Sequence, residues 1–438
     1  MREWSLALAV LTGAAAACSD RPPKKARPSA VAASASAPRL TPPATPSSAE
    51  LTAPPASGDV DPACATNGCL REVTKVGDYG LEKIAPYLAK GVRVTTGYSV
   101  YTLRFVTDGA ESTAVATIPF DASTPERGWD IGVNDHGTIG VDDPCAPSRS
   151  LLGVGHAGWF GARGMIGVAP DYPGLGTAGI HPYLVSRSEG AAALDSVRAA
   201  RALAVHLGLR TSGRAVLVGL SQGGHATLAA AALHKTYAPE LDVRAFAAAA
   251  PASAWASHWS MGARANGWGI PVHAMLFYAW SKRYAWPADK PLWAPSFAPE
   301  VDRLFATQCT WAPSPPTILT SVPKDATQVF DATLLAEYRA NQWATYAFVK
   351  QAFDENAVAP YAQTAPLRIY QGDTDTTVPK VATDELVAAL RAGGVEVDYV
   401  VVPGADHLTT AFGVYSTGDL RSDDAYAWLR SKLDPAEP

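Results

Sequence analysis

The chain has 438 residues, with 36 Lys+Arg against 41 Asp+Glu for a net charge of −5, and is 47% hydrophobic but only 18% charged. At roughly 150 residues per domain this length suggests about three domains, or one α/β core enlarged by insertions, and either is ample to bury a core. The slight acidic excess, with no basic run beyond Pro23-Lys24-Lys25-Ala26-Arg27, lacks the electrostatic footprint of a protein that grips a polyphosphate backbone, so no nucleic-acid partner is expected.

Residues 1–17 carry Arg2, an apolar stretch from Leu6 to Ala17, and Ala15-Ala16-Ala17 directly before Cys18, which reads as a secretory signal. The apolar run, about a dozen residues, is too short to span a bilayer. A cysteine placed straight after the small-residue site resembles a bacterial lipobox, with Ala15 standing where Leu is usual; Cys18 would become an acylated N-terminus. Residues 18–62 are dominated by Pro, Ala, Ser and Thr, a composition that cannot bury enough apolar surface to order itself and reads as a tether. The expected location is outside the cytoplasm, at the cell surface or outer membrane through a lipid anchor, otherwise secreted.

Setting Cys18 aside leaves Cys64, Cys69, Cys145 and Cys309, which in an exported protein allow three pairings. The close spacing of Cys64 and Cys69 favours a local loop and leaves Cys145 with Cys309; no converging His or Cys ligands near Cys64 suggest zinc.

From Val92 to Pro119 the chain alternates and is rich in Val, Thr and Tyr, broken at Asp108-Gly109, and predicts antiparallel β structure opening the folded part. Short apolar runs then follow at 129–133, 165–169, 215–219, 244–248, 367–370 and 399–402. Between the second and third, Leu194, Val197, Ala200, Ala204 and Leu207 recur at helical spacing. Strand, helix and strand in repetition predict a mostly parallel sheet covered by helices on both faces. Gly153-Val154-Gly155-His156-Ala157-Gly158 satisfies G-x-G-x-x-G, with Asp171 at a distance suited to a ribose contact, but no proper strand precedes it and the run to Gly164 looks like a surface helix. Residues 251–365 break the rhythm and hold eight of the 12 Trp, including Trp255, Trp259, Trp268, Trp280, Trp286 and Trp293. They predict a helical cap inserted between core segments 63–250 and 366–438, with some tryptophans filling a second core and others lining an apolar slot.

Gly219-Leu220-Ser221-Gln222-Gly223 stands between the strand at 215–218 and a helical stretch from Thr227 to His234. Small residues flanking a serine on a strand-to-helix turn are what a nucleophile elbow demands, and the helix start would place backbone N–H groups, that of Gln222 first, where an oxyanion develops. A serine hydroxyl needs a base, and the base an orienting acid. His407, in the loop after the last strand, is the only histidine beyond His273; Asp375 is the favoured acid, Asp373 the alternative, and Asp406 is adjacent to His407. The order Ser, Asp, His is that of α/β-hydrolases. The second oxyanion donor would come from the loop after the first parallel strand, at His136 or its neighbours.

His136-Gly137-Thr138 with Cys145-Ala146-Pro147-Ser148, Ala169-Pro170-Asp171-Tyr172 with the helix from Glu189-Gly190, the Ser221 elbow, Asp375-Thr376-Thr377-Val378-Pro379 and Ala405-Asp406-His407 together resemble the secretory lipase family of α/β-hydrolases, which includes fungal lipase A-like enzymes. The resemblance spans about Gly97 to Trp428. It implies a triad of Ser221, Asp375 and His407, an oxyanion hole at His136 and Gln222, a Cys145–Cys309 disulfide, and hydrolysis of carboxylic esters, acylglycerols among them, beneath a helical lid. Fungal members can carry an acidic residue where His136 stands, so Asp135, His136 and Gly137 all remain candidate donors. The chemistry calls for no metal or organic cofactor, and the expected partner is a small-molecule or lipid ester. A serine peptidase with the same triad and a catalytically idle binding module are the alternatives.

Overall fold

The computed structural model describes residues 57–84, 93–120, 123–253, 255–310, 316–410 and 420–434. The signal segment, Cys18 and most of the tether lie outside the described residues. A ten-stranded sheet runs through the molecule in the order β1-β2-β3-β4-β6-β5-β7-β8-β9-β10. The strands are β1 Ser57–Asp59, β2 Leu70–Tyr79, β3 Tyr98–Thr107, β4 Ala110–Pro119, β5 Trp129–Asp135, β6 Ile166–Pro170, β7 Thr211–Leu220, β8 Asp242–Ala249, β9 Leu367–Gly372 and β10 Val397–Val402. Antiparallel pairing joins β1 to β4 in sequence and β4 to β6, and every pairing from β6 through β10 is parallel.

The helices of eight residues or more are α1 Leu151–Gly161, α2 Ser186–His206, α3 Gln222–Tyr237, α4 Ala256–Ala263, α5 Ile270–Tyr284, α6 Ala332–Ala340, α7 Ala347–Asn356, α8 Lys380–Ala392 and α9 Leu420–Leu433. One face of the sheet packs Leu194, Val197 and Leu203 of α2, Leu228 of α3 and Leu386 and Leu390 of α8 against Ile131, Leu217, Phe246 and Ile369. The other packs Trp159 and Phe160 of α1 and Ala425, Leu429 and Leu433 of α9 against Val216, Val218 and Ala247. With both faces covered, the parallel strands need no alternation, which is why they read as continuous apolar runs. Each fully buried Leu or Phe contributes about 2 kcal/mol.

Five of the six apolar runs lie wholly in a strand and the second misses β6 by Met165 alone, and the Asp108-Gly109 break is the β3–β4 turn, with φ of 45° and 78°. Strand β2 escaped the sequence reading because its burial follows no strict alternation and a register shift interrupts it between Lys75 and Gly77. The glycine-rich stretch at 153–158 is helical as expected, but α1 is no surface helix: Gly153, Val154, Ala157 and Gly158 are buried. Its glycines lie inside the helix, not on a strand-to-helix loop, and Asp171 is buried on Thr113 and Ser148, so the dinucleotide pattern has no structural counterpart.

Residues between β8 and β9 are helical and own a second core of Trp259, Ile270, Met275, Phe277, Trp280, Phe330, Tyr338 and Phe353. The helix-compatible stretch from Leu334 to Asp354 is two helices, α6 and α7, because Asn341 ends the first in a left-handed conformation with φ of 52°. Trp259 and Trp280 fill this core, Trp255 packs half-buried on the sheet core, and Trp286, Trp293 and Trp343 pack half-buried on the cap core. Trp268 is 64% exposed, with the Lys324 ammonium 4.1 Å from its ring centre. Both expected disulfides are formed, Cys64–Cys69 within one loop and Cys145–Cys309 across 164 residues of chain.

Candidate active site

The order of strands reverses at β5, which lies between β6 and β7, and in open α/β sheets the crevice at such a point receives ligands at the carboxyl ends of the strands. Register places Asp135, the last residue of β5, opposite Gly219 of β7. The loop beginning at His136 and the turn at Ser221 therefore leave the sheet side by side.

Ser221 has φ of 54° and ψ of −113°, a strained conformation for a residue with a side chain. It is held from both ends: its N–H donates to Ala249 O at 2.9 Å, and its carbonyl accepts from Ala252 N at 3.0 Å and His225 N at 3.1 Å. The flanking glycines are required by contact. A Cβ on Gly219 would stand 2.0 Å from the Gly223 carbonyl oxygen, and one on Gly223 would stand 2.0 Å from the Asp135 carbonyl oxygen. Two further left-handed residues, Leu184 with φ of 55° and Ala250 with φ of 40°, lie in the segments beside the turn.

His407 Nε2 lies 3.0 Å from Ser221 Oγ, and His407 Nδ1 lies 2.8 Å from Asp375 Oδ2. A carboxylate only accepts, so Nδ1 carries the proton and Nε2 is left to receive the serine proton. The Asp375 side chain is fully buried, and its Oδ1 accepts from Thr377 N at 2.8 Å and Val378 N at 2.9 Å. Asp373 is an exposed turn residue that accepts from Gly404 N at 2.6 Å, and Asp406 accepts from the Thr409 N–H and hydroxyl, facing away from the imidazole it adjoins in sequence. Gln371 was not singled out from sequence; its amide donates to Asp375 Oδ2 at 3.3 Å and Val378 O at 3.0 Å and braces the acid loop.

Gln222 opens α3 directly behind the serine, so its backbone N–H is among those that a helix leaves unpaired at its first turn. Across the turn, the His136 ring points into the interior, tilted against Tyr172 with ring centres 4.4 Å apart, with Nδ1–H donating to Gly137 O at 2.7 Å. Burial holds its pKa down to about 3, so the ring is neutral. Asp135 is turned toward Thr227, whose hydroxyl donates to its Oδ2 at 2.8 Å, and burial raises that carboxyl well above the usual carboxylate range. What the loop can offer a developing oxyanion is thus its backbone, not the side chain of Asp135 or His136. The same loop is tied to the helical layer: Thr310 N donates to Ile139 O at 2.8 Å, Thr138 Oγ1 lies 2.7 Å from Tyr183 Oη, and the Cys145–Cys309 disulfide closes the connection.

A buried polar cluster behind Gln222 was also missed from sequence. Glu189 of α2 is fully enclosed, and its carboxylate accepts from Gln222 Nε2 at 2.8 Å, Leu184 N at 2.8 Å and His225 Nδ1 at 2.7 Å. Burial alone would raise its pKa, but the hydrogen bond and charge of the neighbouring His225 work against that and hold it down. The available signal was His225 four residues after Ser221, one turn along the same helix face.

Asp171 gives a pH-dependent prediction. Burial pushes its carboxyl up to about 7 against hydrogen bonds from Ser148 and Thr113. A folded value above the unfolded one, about 3.9, favours the fold below pH 4, and that contribution is lost as pH rises toward 7. Asp171→Asn is therefore expected to gain on the wild type across this window by a few kcal/mol and to level off above it. Thermal melts at pH 4, 5.5, 7 and 8.5 check this, and a difference independent of pH would contradict it.

Among the described residues no group of three or more His, Cys, Asp or Glu is placed to hold a metal ion, and no helix is long and apolar enough to cross a membrane. The secretory lipase family model matches residues 161–257, the segment that carries the elbow and the Glu189 helix. Lipase A of Arthroderma benhamiae is 28% identical over 315 residues, which cover 66% of this chain and 61% of that lipase. Over residues 161–257 the chain is similar to the secretory lipase family. A second secretory lipase relative, lipase A of Moesziomyces aphidis, is 31% identical over 162 residues, 33% of either chain, so the alignments span less than two thirds of these curated relatives. The prolyl oligopeptidase family model matches residues 308–436, which hold Asp375 and His407. Among solved structures, the rice cell wall degrading esterase LipA from Xanthomonas oryzae superposes with a TM-score of 0.71 at 21% identity, over 85% of this chain and 100% of that one. Candida antarctica lipase A in its closed state gives 0.63 at 18% identity, over 87% and 86%. The fold of the chain is that of the α/β-hydrolases.

Proposed function

We propose that the chain is a serine carboxylic-ester hydrolase working through an acyl-enzyme. The observation that carries this reading is the unbroken line from Asp375 through His407 to Ser221 Oγ, at 2.8 and 3.0 Å, on a strained elbow between strand and helix. Ser221 attacks the ester carbonyl as its proton passes to His407 Nε2, and Asp375 holds the imidazole and stabilises the imidazolium. The tetrahedral oxyanion rests on the Gln222 N–H and on the backbone of the loop from His136 to Thr138, and its collapse expels the alcohol, which takes the proton from His407. Water, deprotonated by the same imidazole, then releases the acid and regenerates Ser221.

The helical layer between β8 and β9 is the cap over this site, and its apolar core extends to Val141, Tyr183, Leu184 and Val378, beside the oxyanion and acid loops. That continuity favours an ester with an apolar acyl group. The reading is tested with p-nitrophenyl esters from acetate to palmitate, below and above their solubility. A rate that rises with chain length and jumps at the interface is expected of a lipase, whereas steady decline beyond butyrate would replace it with a small-ester hydrolase. The prolyl oligopeptidase match favours a second reading, amide hydrolysis by the same triad. Turnover of acyl-aminoaryl amides without turnover of esters would establish that instead.

The N-terminal segment supports export, with Cys18 as an acylated anchor and residues 18–62 as the tether behind it. Fractionation of cells producing the wild type and Cys18→Ser tests this: the wild type is expected with membranes and the variant released. Release of both would remove the anchor.

A further inference from the structure

The polar cluster behind the elbow is ordered by two groups of fixed role. Asn356 O and the Glu189 carboxylate can only accept. The Ser186 hydroxyl donates to Asn356 O, so toward His225 Nε2, 3.0 Å away, Ser186 Oγ can only accept; Asn356 O lies 3.2 Å from the same nitrogen. His225 Nδ1 faces Glu189 Oε2 at 2.7 Å. With the hydroxyl so turned, His225 can donate from both ring nitrogens, to Glu189 on one side and toward Ser186 and Asn356 on the other, and pairs with the Glu189 carboxylate in the interior.

On the other side of the carboxylate, His181 Nδ1 faces the Pro173 carbonyl at 3.2 Å and donates to it, and the neutral ring then accepts at Nε2. The Gln222 amide supplies one hydrogen to His181 Nε2 at 2.7 Å and the other to Glu189 Oε1 at 2.8 Å. The first residue of α3 is thus clamped by its side chain to a charged group that is itself fixed from the segment before α2, through Leu184 N, and, by way of His225, from α7, through Asn356. Charged buried groups are costly unless fully paired, and here the pairing converges on the residue that directly follows the nucleophile and opens the helix.

We infer that Glu189, with His225 and His181 around it, is a positioning residue that aims the Gln222 backbone N–H at the oxyanion through the Gln222 side chain. The inference rests on the ester-hydrolase reading above. Uniform weakening of substrate binding would raise KM, but misaiming an oxyanion donor weakens only the transition state, so the effect belongs in kcat.

Gln222→Met keeps the length of the side chain, the Glu189–His225 pair and the backbone N–H, and removes only the clamp. It is expected to lower kcat on a soluble ester by about 10- to 100-fold, less than outright loss of an oxyanion donor, with KM changed by less than about threefold. The rate constant for fluorophosphonate attack on Ser221 should fall in parallel. Glu189→Met should match it, the double variant should lose no more than either alone, and Glu189→Gln, which keeps an acceptor for the Gln222 amide, should recover most of the activity. If Glu189→Met does not fold, Gln222→Met decides. Wild-type kcat in Gln222→Met, or a loss confined to KM or to melting temperature, overturns the inference while leaving the esterase reading in place. A wild type that neither hydrolyses esters nor reacts with the phosphonate overturns both.

Discussion

Ser221→Ala is expected to lower ester turnover by on the order of 10⁴ or more and to abolish covalent labelling by a fluorophosphonate, while leaving the fold intact. The size follows from chemistry: without the hydroxyl there is no acyl-enzyme, and what remains is binding and the oxyanion donors acting on water. The intact fold follows from the elbow, where Ser221 is bound through its backbone to Ala249, Ala252 and His225 while its side chain is engaged, among the described residues, by His407 alone. Alanine tolerates the same φ of 54° about as well as serine, and Ala250 already adopts φ of 40° next door. Stoichiometric labelling of wild type, read by intact mass, together with none in the variant assigns the nucleophile. Labelling that persists in Ser221→Ala would move it elsewhere, and no labelling of wild type would favour an idle binding module.

The fold and the meeting of Ser221, His407 and Asp375 were largely legible in the sequence because each follows from local rules. A parallel strand buried on both faces must be a short apolar run, and a nucleophile elbow must be small, Ser, small between strand and helix. Two classes of feature were not legible. Strand β2 carries Lys75, Gly77 and Asp78 and shifts register midway, so its pairing is set by β3 beside it and not by its own pattern. The Glu189 cluster joins residues from α2, α3 and α7 that are up to 170 positions apart, and nothing in the local context of a glutamate on an Ala-rich helix tells a buried anchor from a solvated one. The choice between Asp373 and Asp375 lay between these extremes: both sit in one turn after one strand, and only the chain's direction after Gly372 decides which faces His407.

That choice can be tested sharply. Asp375→Asn is expected to lower kcat by on the order of 10⁴ with little change in KM or melting temperature, and Asp373→Asn to leave kcat within about twofold. Two backbone donors, Thr377 N and Val378 N, converge on Asp375 Oδ1, so an asparagine must turn its carbonyl oxygen to them and its NH₂ to His407. An NH₂ facing Nδ1 requires that nitrogen to accept, which moves the ring proton to Nε2 and confronts the Ser221 hydroxyl with a donor where it needs an acceptor. Volume and packing hardly change, and the defect is one of tautomer. At position 373 an asparagine oxygen still accepts from Gly404 N, so the turn survives and the imidazole is untouched. Steady-state kinetics on a soluble ester with thermal melts for both variants separates the two roles. If Asp373→Asn carried the large loss and Asp375→Asn did not, the hydrogen bond between Asp375 and His407 would not be the one that orients the base.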